Sequence, residues 1–390
     1  EQVPAKYVRG YRAVADVDAS TVRIEFDLAG SGEVEVRVRG AEGTALATPR
    51  SEDAAGAVTE IKIPKAKLWS PEEPHLYAFT AKFGEDAVTG YFAFRKLERR
   101  KDAKGHESFF LNGKKTYLLA TLDQGWWPDG LLTPPSEEAM RYDLEILRKA
   151  GFNAVRKHIK VEPRRFYYDC DRMGMMVVQD LPCGYALPKY GPWVVPNDIY
   201  RLRRHAEVRR ELKGMVDHLR NHPSIVMWSP FNECWGQPNR SFSAMTLAWL
   251  KDYDATRFVN GPSGWWDWWT GGAYGPGQPQ SAQPKVAGDV PPCDTYDRHD
   301  YSSEPTMKVF DNAGRIAFLG EYGGLSLAVE GHLWPSTNTF GYATLPSREA
   351  LLEKYARQAD CVARLAADGV GGSVYTQTTD VEIEYNGLMT

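Results

Sequence analysis

The sequence predicts a multi-domain chain: a small antiparallel β-sandwich over residues 1–101, followed by a (β/α)8 barrel over residues 102–390. Three observations predict it. The first hundred residues hold short runs in which apolar and polar residues alternate, the period of half-buried strands. From about Lys101 to Glu107 (KDAKGHE) the pattern changes to strand, loop and helix in repetition. In that second part the apolar runs fit to be parallel strands number eight, the count that closes such a barrel.

The sandwich strands come first. TVRIEFDL sets Val22, Ile24, Phe26 and Leu28 on one face, and EVEVRVR does the same with Val34, Val36 and Val38. EIKIP and HLYAFTAKF follow, and GYFAFRKLERR closes the set. Gly, Asp and Pro turns between such short strands are the pattern of an antiparallel sandwich.

The barrel strands are then TYLLAT, NAVRKHI, MMVVQD, SIVMWS, RFVNGP, DTYDRH, IAFLGE and GSVYTQ. Helices lie between them. SREALLEKYARQADCVARLAADG begins at the N-cap Ser347, carries apolar Leu351, Leu352, Tyr355, Val362 and Leu365, and ends at Gly369. After the fifth strand, GGAYGPGQPQSAQPKVAGDVPPC is too rich in Gly and Pro for a long helix and predicts a long loop.

Composition narrows the function. A hydrophobic content of 43% over 390 residues fills both cores. The net charge of −4 argues against nucleic acid as the partner, and the basic run RLRRHAEVRRELK reads as a solvated helix face. No apolar run approaches the roughly 18 residues of a membrane span. The five cysteines show no C-x-x-C pair and read as mostly free thiols, and no metal or other cofactor is expected. Glu1 stands where a native chain would start with methionine, so a trimmed start is expected and the compartment is left open, as is oligomeric state.

Nearly every predicted barrel strand delivers a chemically capable side chain at its C-terminal end. These are Asp123, Arg156 with His158, Asp180, Asn232 with Glu233, Ser263, Asp297 with His299, Glu321, and Gln377 with Asp380. In a barrel those ends open on one face, where carboxylates escape the cost of burial. Glu233 and Glu321 end the fourth and seventh strands and face each other over the mouth. Two carboxylates about 5 Å apart are what a retaining glycoside hydrolase uses, one to attack the anomeric carbon and one to protonate the departing oxygen. Burial and repulsion are expected to raise one pKa, while arginine and hydroxyl donors hold the other carboxyl ionised. A structural salt-bridge network is the competing reading; the aromatic flanks Phe231 and Trp235 favour catalysis.

WSPFNECWGQ and FLGEYGG resemble the signatures of glycoside hydrolase family 2, which contains β-galactosidases, β-glucuronidases and β-mannosidases. LWSPEEPHLY resembles the end of that family's immunoglobulin-like sandwich, FFLNGKKTYLLA its first TIM-barrel strand, and GFNAVRKHIKVEPRRFYYDCDRMGMMVVQDLP its second and third strands. The resemblance implies Glu233 as general acid/base, Glu321 as nucleophile, Asn232 as partner of the sugar 2-hydroxyl and Arg156 as support of the nucleophile. His299 and Tyr301, in DRHDYS, match a group close to the nucleophile.

Three departures stand beside it. His158 follows Arg156 by two residues where the family's better known members have three. The last strand lacks the tryptophan common there, which leaves Tyr375, Gln377 or Asp380 to line that wall. A leading jelly-roll domain and a helix after the eighth strand have no counterpart, so a truncated chain is expected.

The remaining candidates are weaker. GWWDWW and GWWPDG follow the fifth and first strands; indole rings there suit the C–H face of a sugar or pack against the rim, and Trp265 lies closest to its strand end. Arg156 and Asp180 fit either substrate binding or a buried ion pair with each other. His205, His218 and His222 read as surface groups, and the alternating Asp380, Glu382 and Glu384 lack a convergent second set that would hold a cation. The resulting expectation is a retaining exo-β-glycosidase acting on carbohydrate. Its rivals are a non-catalytic carbohydrate-binding or scaffolding relative and an endo-acting β-glycanase.

Overall fold

The computed structural model describes residues 3–40, 45–49, 55–182, 198–233, 240–264, 292–309, 312–336 and 338–389, excepting the side chains of 49, 198–205, 240 and 241. Seven antiparallel strands open the chain: β1 (Tyr7–Asp16), β2 (Thr21–Ala29), β3 (Val34–Val38), β4 (Ala45–Pro49), β5 (Gly56–Lys62), β6 (Tyr77–Phe83) and β7 (Asp86–Phe92). They pair in the order β1-β2-β5-β4-β3-β6-β7. The order folds over at β4, whose first residues pair with β3 (Val34↔Ala47) and whose last pair with β5 (Thr48↔Val58). The two faces so formed enclose the alternating Val22, Ile24, Phe26 and Leu28 together with Val36, Phe79, Ala81 and Phe83. GYFAFRKLERR is not one strand. Its start belongs to β7 and its end to β8 (Leu97–Lys101).

β8, β9 (Glu107–Leu111) and β10 (Lys114–Lys115) make a separate three-stranded sheet. Phe109 and Leu111 from it join Trp69 in closing the floor of the barrel against Ala120, Ala154, Met176, Phe258, Phe318 and Val374. The barrel strands are β11 (Leu118–Asp123), β12 (Ala154–Lys157), β13 (Met176–Asp180), β14 (Ile225–Ser229), β15 (Phe258–Val259), β16 (Thr295–His299), β17 (Ile316–Gly323) and β20 (Gly372–Thr376). All eight predicted runs contribute, in the order β15-β14-β13-β12-β11-β20-β17-β16. The open seam between β15 and β16 is joined by Asp294, whose N–H donates to Val259 O at 2.8 Å while its carboxylate accepts from Val259 N at 2.8 Å. A short parallel pair, β18 (Leu325–Ser326) and β19 (Ala343–Thr344), follows β17.

Outside the strands run α1 (Glu137–Lys149), α2 (Arg164–Met173), α3 (Asp198–Leu219), α4 (Arg240–Tyr253) and α5 (Arg348–Ala367). α5 starts where predicted, the Ser347 hydroxyl accepting from Ala350 N at 3.3 Å, though Leu352 is exposed and Gln358 and Cys361 face the core. Arg209, Arg210 and Lys213 of the basic run are exposed on α3. Almost all of the connection expected after the fifth strand lies outside the described residues. No described helix is long and apolar enough to cross a membrane.

His222 corrects an expectation. It is buried, with Nδ1 2.7 Å from Asp171 Oδ2 and 2.9 Å from the hydroxyl of Tyr91, at the junction of sandwich and barrel. Its neighbours in sequence are polar, but the sandwich covers the position, which local pattern does not reveal. His218 is exposed as expected, and the His205 side chain lies outside the described residues.

Candidate active site

Strand parity decides which predicted residues reach the mouth. On β12, Ala154 points to the barrel interior, so Arg156 two residues on does as well. Its guanidinium is fully buried and every arm is used. Nε and Nη2 bind the Asp180 carboxylate at 3.1 and 3.0 Å, Nη1 reaches Glu321 Oε1 at 3.1 Å and Gly320 O at 3.1 Å, and Nη2 also donates to Asn232 Oδ1 at 2.8 Å and Ser263 Oγ at 3.0 Å. Burial works against this charge, but Asp180, Glu321 and Asp297 outweigh it and raise the pKa. Arg156 therefore forms the buried ion pair with Asp180 and also holds Glu321.

Because Asn232 Oδ1 accepts from Arg156 and from the Ser263 hydroxyl at 2.8 Å, the amide orientation is fixed and its NH2 faces away as a donor. Asn232 bridges Ser263, and Glu233 N donates to Ser263 O at 3.1 Å, so pairing with the chain after β15 extends past the end of β14. Glu233 itself takes a left-handed backbone with φ 44°, a conformation non-glycine residues adopt at a cost.

Glu321 is inward only through an irregularity. Ile316 and Phe318 face the interior, and strict alternation would send Glu321 outward. A one-residue slip between Arg298↔Leu319 and His299↔Glu321 turns it in. Gly320 permits the slip, since a Cβ there would meet Asp297 Oδ1 at 2.0 Å. The Glu321 carboxylate accepts from Arg156 on Oε1 and from the Tyr301 hydroxyl on Oε2 at 2.5 Å.

His299 stands between the two glutamates. Its Nδ1 lies 2.7 Å from Glu233 Oε1 and 3.2 Å from Glu321 Oε2, and the three side chains present ligand atoms within 4.8 Å of one another. Gly264 makes room for the imidazole, for a Cβ there would meet His299 Nδ1 at 2.7 Å. The trio has the spacing of a cation site, yet the Arg156 guanidinium, 3.1 Å from Glu321 and 3.4 Å from His299 Nε2, opposes a cation there.

The charge states divide differently from the sequence expectation. Glu321 has the arginine and hydroxyl donors, but burial and the charge of Glu233 push its carboxyl up to about 7. Glu233 is less enclosed, and the His299 hydrogen bond offsets its burial and pulls its pKa below the usual range. For His299, burial is outweighed by Glu321, Glu233 and Asp297, which raise its pKa. His158, 3.9 Å from Glu321 Oε1, is driven well down by burial and by Arg156 and is neutral.

Two candidates sit elsewhere. Leu118, Ala120 and Leu122 face inward, so Asp123 faces out and pairs with Lys157 Nζ at 3.0 Å beside Glu162. Its strand-end position was legible, but its parity turns it away from the mouth. Gln377 is buried, its amide exchanging hydrogen bonds with Gln124, Glu384 and Asn386. Tyr375 packs outward against Tyr322 and Tyr355. Thr376 contacts the site instead, its Oγ1 3.1 Å from the Tyr301 hydroxyl. Of the tryptophans, Trp127 packs against the helix-facing core, and Trp265 lies outside the described residues. Tyr342 was not anticipated: its ring stacks on Tyr301 at 3.5 Å and 2°.

Comparison with known proteins agrees with this architecture. "Glycosyl hydrolases family 2, TIM barrel domain" matches residues 106–276 and "Glycosyl hydrolases family 2" matches residues 6–95. The chain is 28% identical over 253 residues to the β-glucuronidase of Chlorocebus aethiops, covering 59% of this chain and 35% of that one. It is 28% identical over 283 residues to β-galactosidase 2 of Enterobacter cloacae, covering 66% and 26%. The match thus spans about a quarter to a third of those relatives. Among solved structures, the family 2 β-galacturonidase of Eisenbergiella tayi bound to galacturonate superposes with a TM-score of 0.68 at 17% identity, over 96% of this chain and 65% of that one. The β-D-glucuronidase of Dictyoglomus thermophilum gives 0.68 at 17% identity, over 99% and 66%. At such identities the likeness speaks for the fold. Sandwich, barrel and sequence matches together place this chain in glycoside hydrolase family 2.

Proposed function

We propose that this chain carries the catalytic site of a retaining exo-β-glycosidase, with Glu321 as nucleophile and Glu233 as general acid/base. The observation that carries the reading is the convergence of the two carboxylates, with oxygens within 4.8 Å, around His299. That separation suits attack by one carboxylate on the carbon whose leaving oxygen the other protonates; an inverting pair stands about 6.5–9.5 Å apart to admit a water.

Glu321 attacks the anomeric carbon while Glu233 gives its proton to the departing glycosidic oxygen. Glu233 then takes a proton from water, whose oxygen displaces Glu321 and frees the sugar. The reactive form is the pair holding one proton. In the free protein that proton favours Glu321, and His299 Nδ1, within reach of both carboxylates, gives it a path to Glu233. The Asn232 amide donor serves the sugar 2-hydroxyl. Glu321 is 6% exposed and Glu233 17%, which fits a sugar entering end-on with its aglycone toward the opening. This favours exo action over an endo cleft.

The relatives' names make aryl β-glucuronide and aryl β-galactoside the first two substrates to try. Release of the phenol with the product first formed as the β-anomer, seen by proton NMR, supports the reading. Sugar binding without turnover points to the carbohydrate-binding rival, and preference for a polymer over the aryl glycoside points to the endo-glycanase.

A further inference from the structure

Where the sandwich meets the base of the barrel there is a cleft of about 520 Å3, open solvent included. Its barrel side is formed by residues that precede β14 and β15, at the opposite strand ends from Glu233 and Glu321. Four guanidinium groups line it, Arg12 and Arg95 from the sandwich and Arg220 and Arg257 from the barrel, against the single carboxylate of Asp254. In a chain of net charge −4 this concentration of positive charge is local.

The four arginines are unequally satisfied. Arg257 is complete: Nη1 binds Asp254 Oδ2 at 2.9 Å and the other arms reach the carbonyls of Ile225, Arg220 and His222. Arg95 gives Nε, Nη1 and Nη2 to the carbonyls of Pro223, Thr256 and Ile225 at 2.6, 3.2 and 2.8 Å, with no carboxylate partner among the described residues. Burial and the neighbouring Arg257 lower its proton affinity. Arg220 meets Asp217 through Nη1 at 3.0 Å, but its Nε is buried without a hydrogen-bond partner. The Arg12 side chain has no hydrogen bond or ion pair among the described residues. Like charges gathered in a partly desolvated cleft repel, and a buried N–H without an acceptor is costly. An anion with several acceptor oxygens, which guanidinium forks bind in pairs, relieves the repulsion.

We propose that this cleft is a binding site for a small tetrahedral oxyanion, of the class of inorganic phosphate and sulfate, held between Arg12 and Arg95 of the sandwich and Arg220 of the barrel. Because the anion's ligands come from both units, it fastens one to the other. The site is independent of the glycosidase chemistry.

The test uses the whole chain at fixed ionic strength, with chloride replaced stepwise by inorganic phosphate or by sulfate. Isothermal titration is expected to show one saturable site, and the melting temperature to rise with the logarithm of anion concentration above the dissociation constant. The Arg12→Gln, Arg220→Gln double variant should lose about tenfold or more in affinity while melting normally in chloride. Should the double variant not fold, Arg12→Gln alone reads the same loss, since the Arg12 side chain makes no hydrogen bond or ion pair among the described residues. Absence of a saturable heat, or an equal response of wild type and variant, would overturn the proposal.

Discussion

The Tyr301 hydroxyl donates to Glu321 Oε2 at 2.5 Å while the opposite carboxylate oxygen is held by Arg156. Tyr301→Phe removes the first of these and keeps the ring that stacks on Tyr342. A donor to the ionised form lowers a carboxylate pKa, so its loss should move upward the limb of kcat/KM that Glu321 sets near 7 and lower kcat by about tenfold to a hundredfold. A variant that lost activity with an unmoved pH profile would mark the tyrosine as packing alone.

The pair of glutamates should give a bell-shaped dependence of kcat/KM on pH, its basic limb near 7, where the pair loses its last proton from Glu321, and its acidic limb below the usual carboxylate range, where Glu233 takes up a second one. Glu233→Gln, assayed with an aryl leaving group that needs no proton, should lose the basic limb and show a single rise with pH where Glu321 ionises. Stopped assays across about pH 3–9 check it.

Stability carries the same signature. Burial raises Glu321 from its ordinary 4.5 to about 7, so the folded state binds more protons than the unfolded one in that window. This contribution is complete below about pH 4.5 and lost as pH rises through about 7, on the order of 3 kcal/mol. The raised pKa of His299 acts in the same direction at higher pH, whereas the lowered pKa of Glu233 adds stability as pH rises and acts below the usual carboxylate range. Urea unfolding of wild type and Glu321→Gln at pH 4 and pH 8 should show the variant gaining relative to wild type at the higher pH.

Arg156→Lys cannot satisfy Asp180, Glu321, Asn232 and Ser263 at once. Breaking a buried pair costs about 3–5 kcal/mol, and urea unfolding should show a loss of that order together with a sharp fall in kcat. Gly320→Ala is a test of the slip in β17. With a Cβ set against Asp297, it should lower stability by about 1–3 kcal/mol and activity far more, because Glu321 depends on that slip to face inward.

Period-2 alternation made most of the sandwich legible, because each strand there needs one apolar face on a core, and apolar runs did the same for the eight barrel strands, most of which are buried on both faces. β1 was missed: YVRGYRAVAD mixes polar and apolar residues, and its register shifts between Val8 and Gly10. β4 is short and divides its pairing between two neighbours. At the site, strand-end position found Arg156, Asp180, Asn232 and Glu233, but position without parity also admitted Asp123. Strand-end position found Glu321 too, but the one-residue slip that turns it inward leaves no trace in hydrophobic pattern. Tyr342 and His222 owe their places to contacts distant in sequence, with Tyr301 and with Asp171, which no local window reports.

The convergence of Glu233 and Glu321 on one anomeric carbon is tested most directly by trapping. A 2-deoxy-2-fluoro glycoside with an activated leaving group slows release of the covalent intermediate, and peptide mass spectrometry locates the bound sugar. Attachment to Glu321, with azide restoring turnover in Glu321→Gly and giving the inverted product, is the expected result. Labelling of Glu233 or of no carboxylate, in a protein that turns over the parent glycoside, would contradict it.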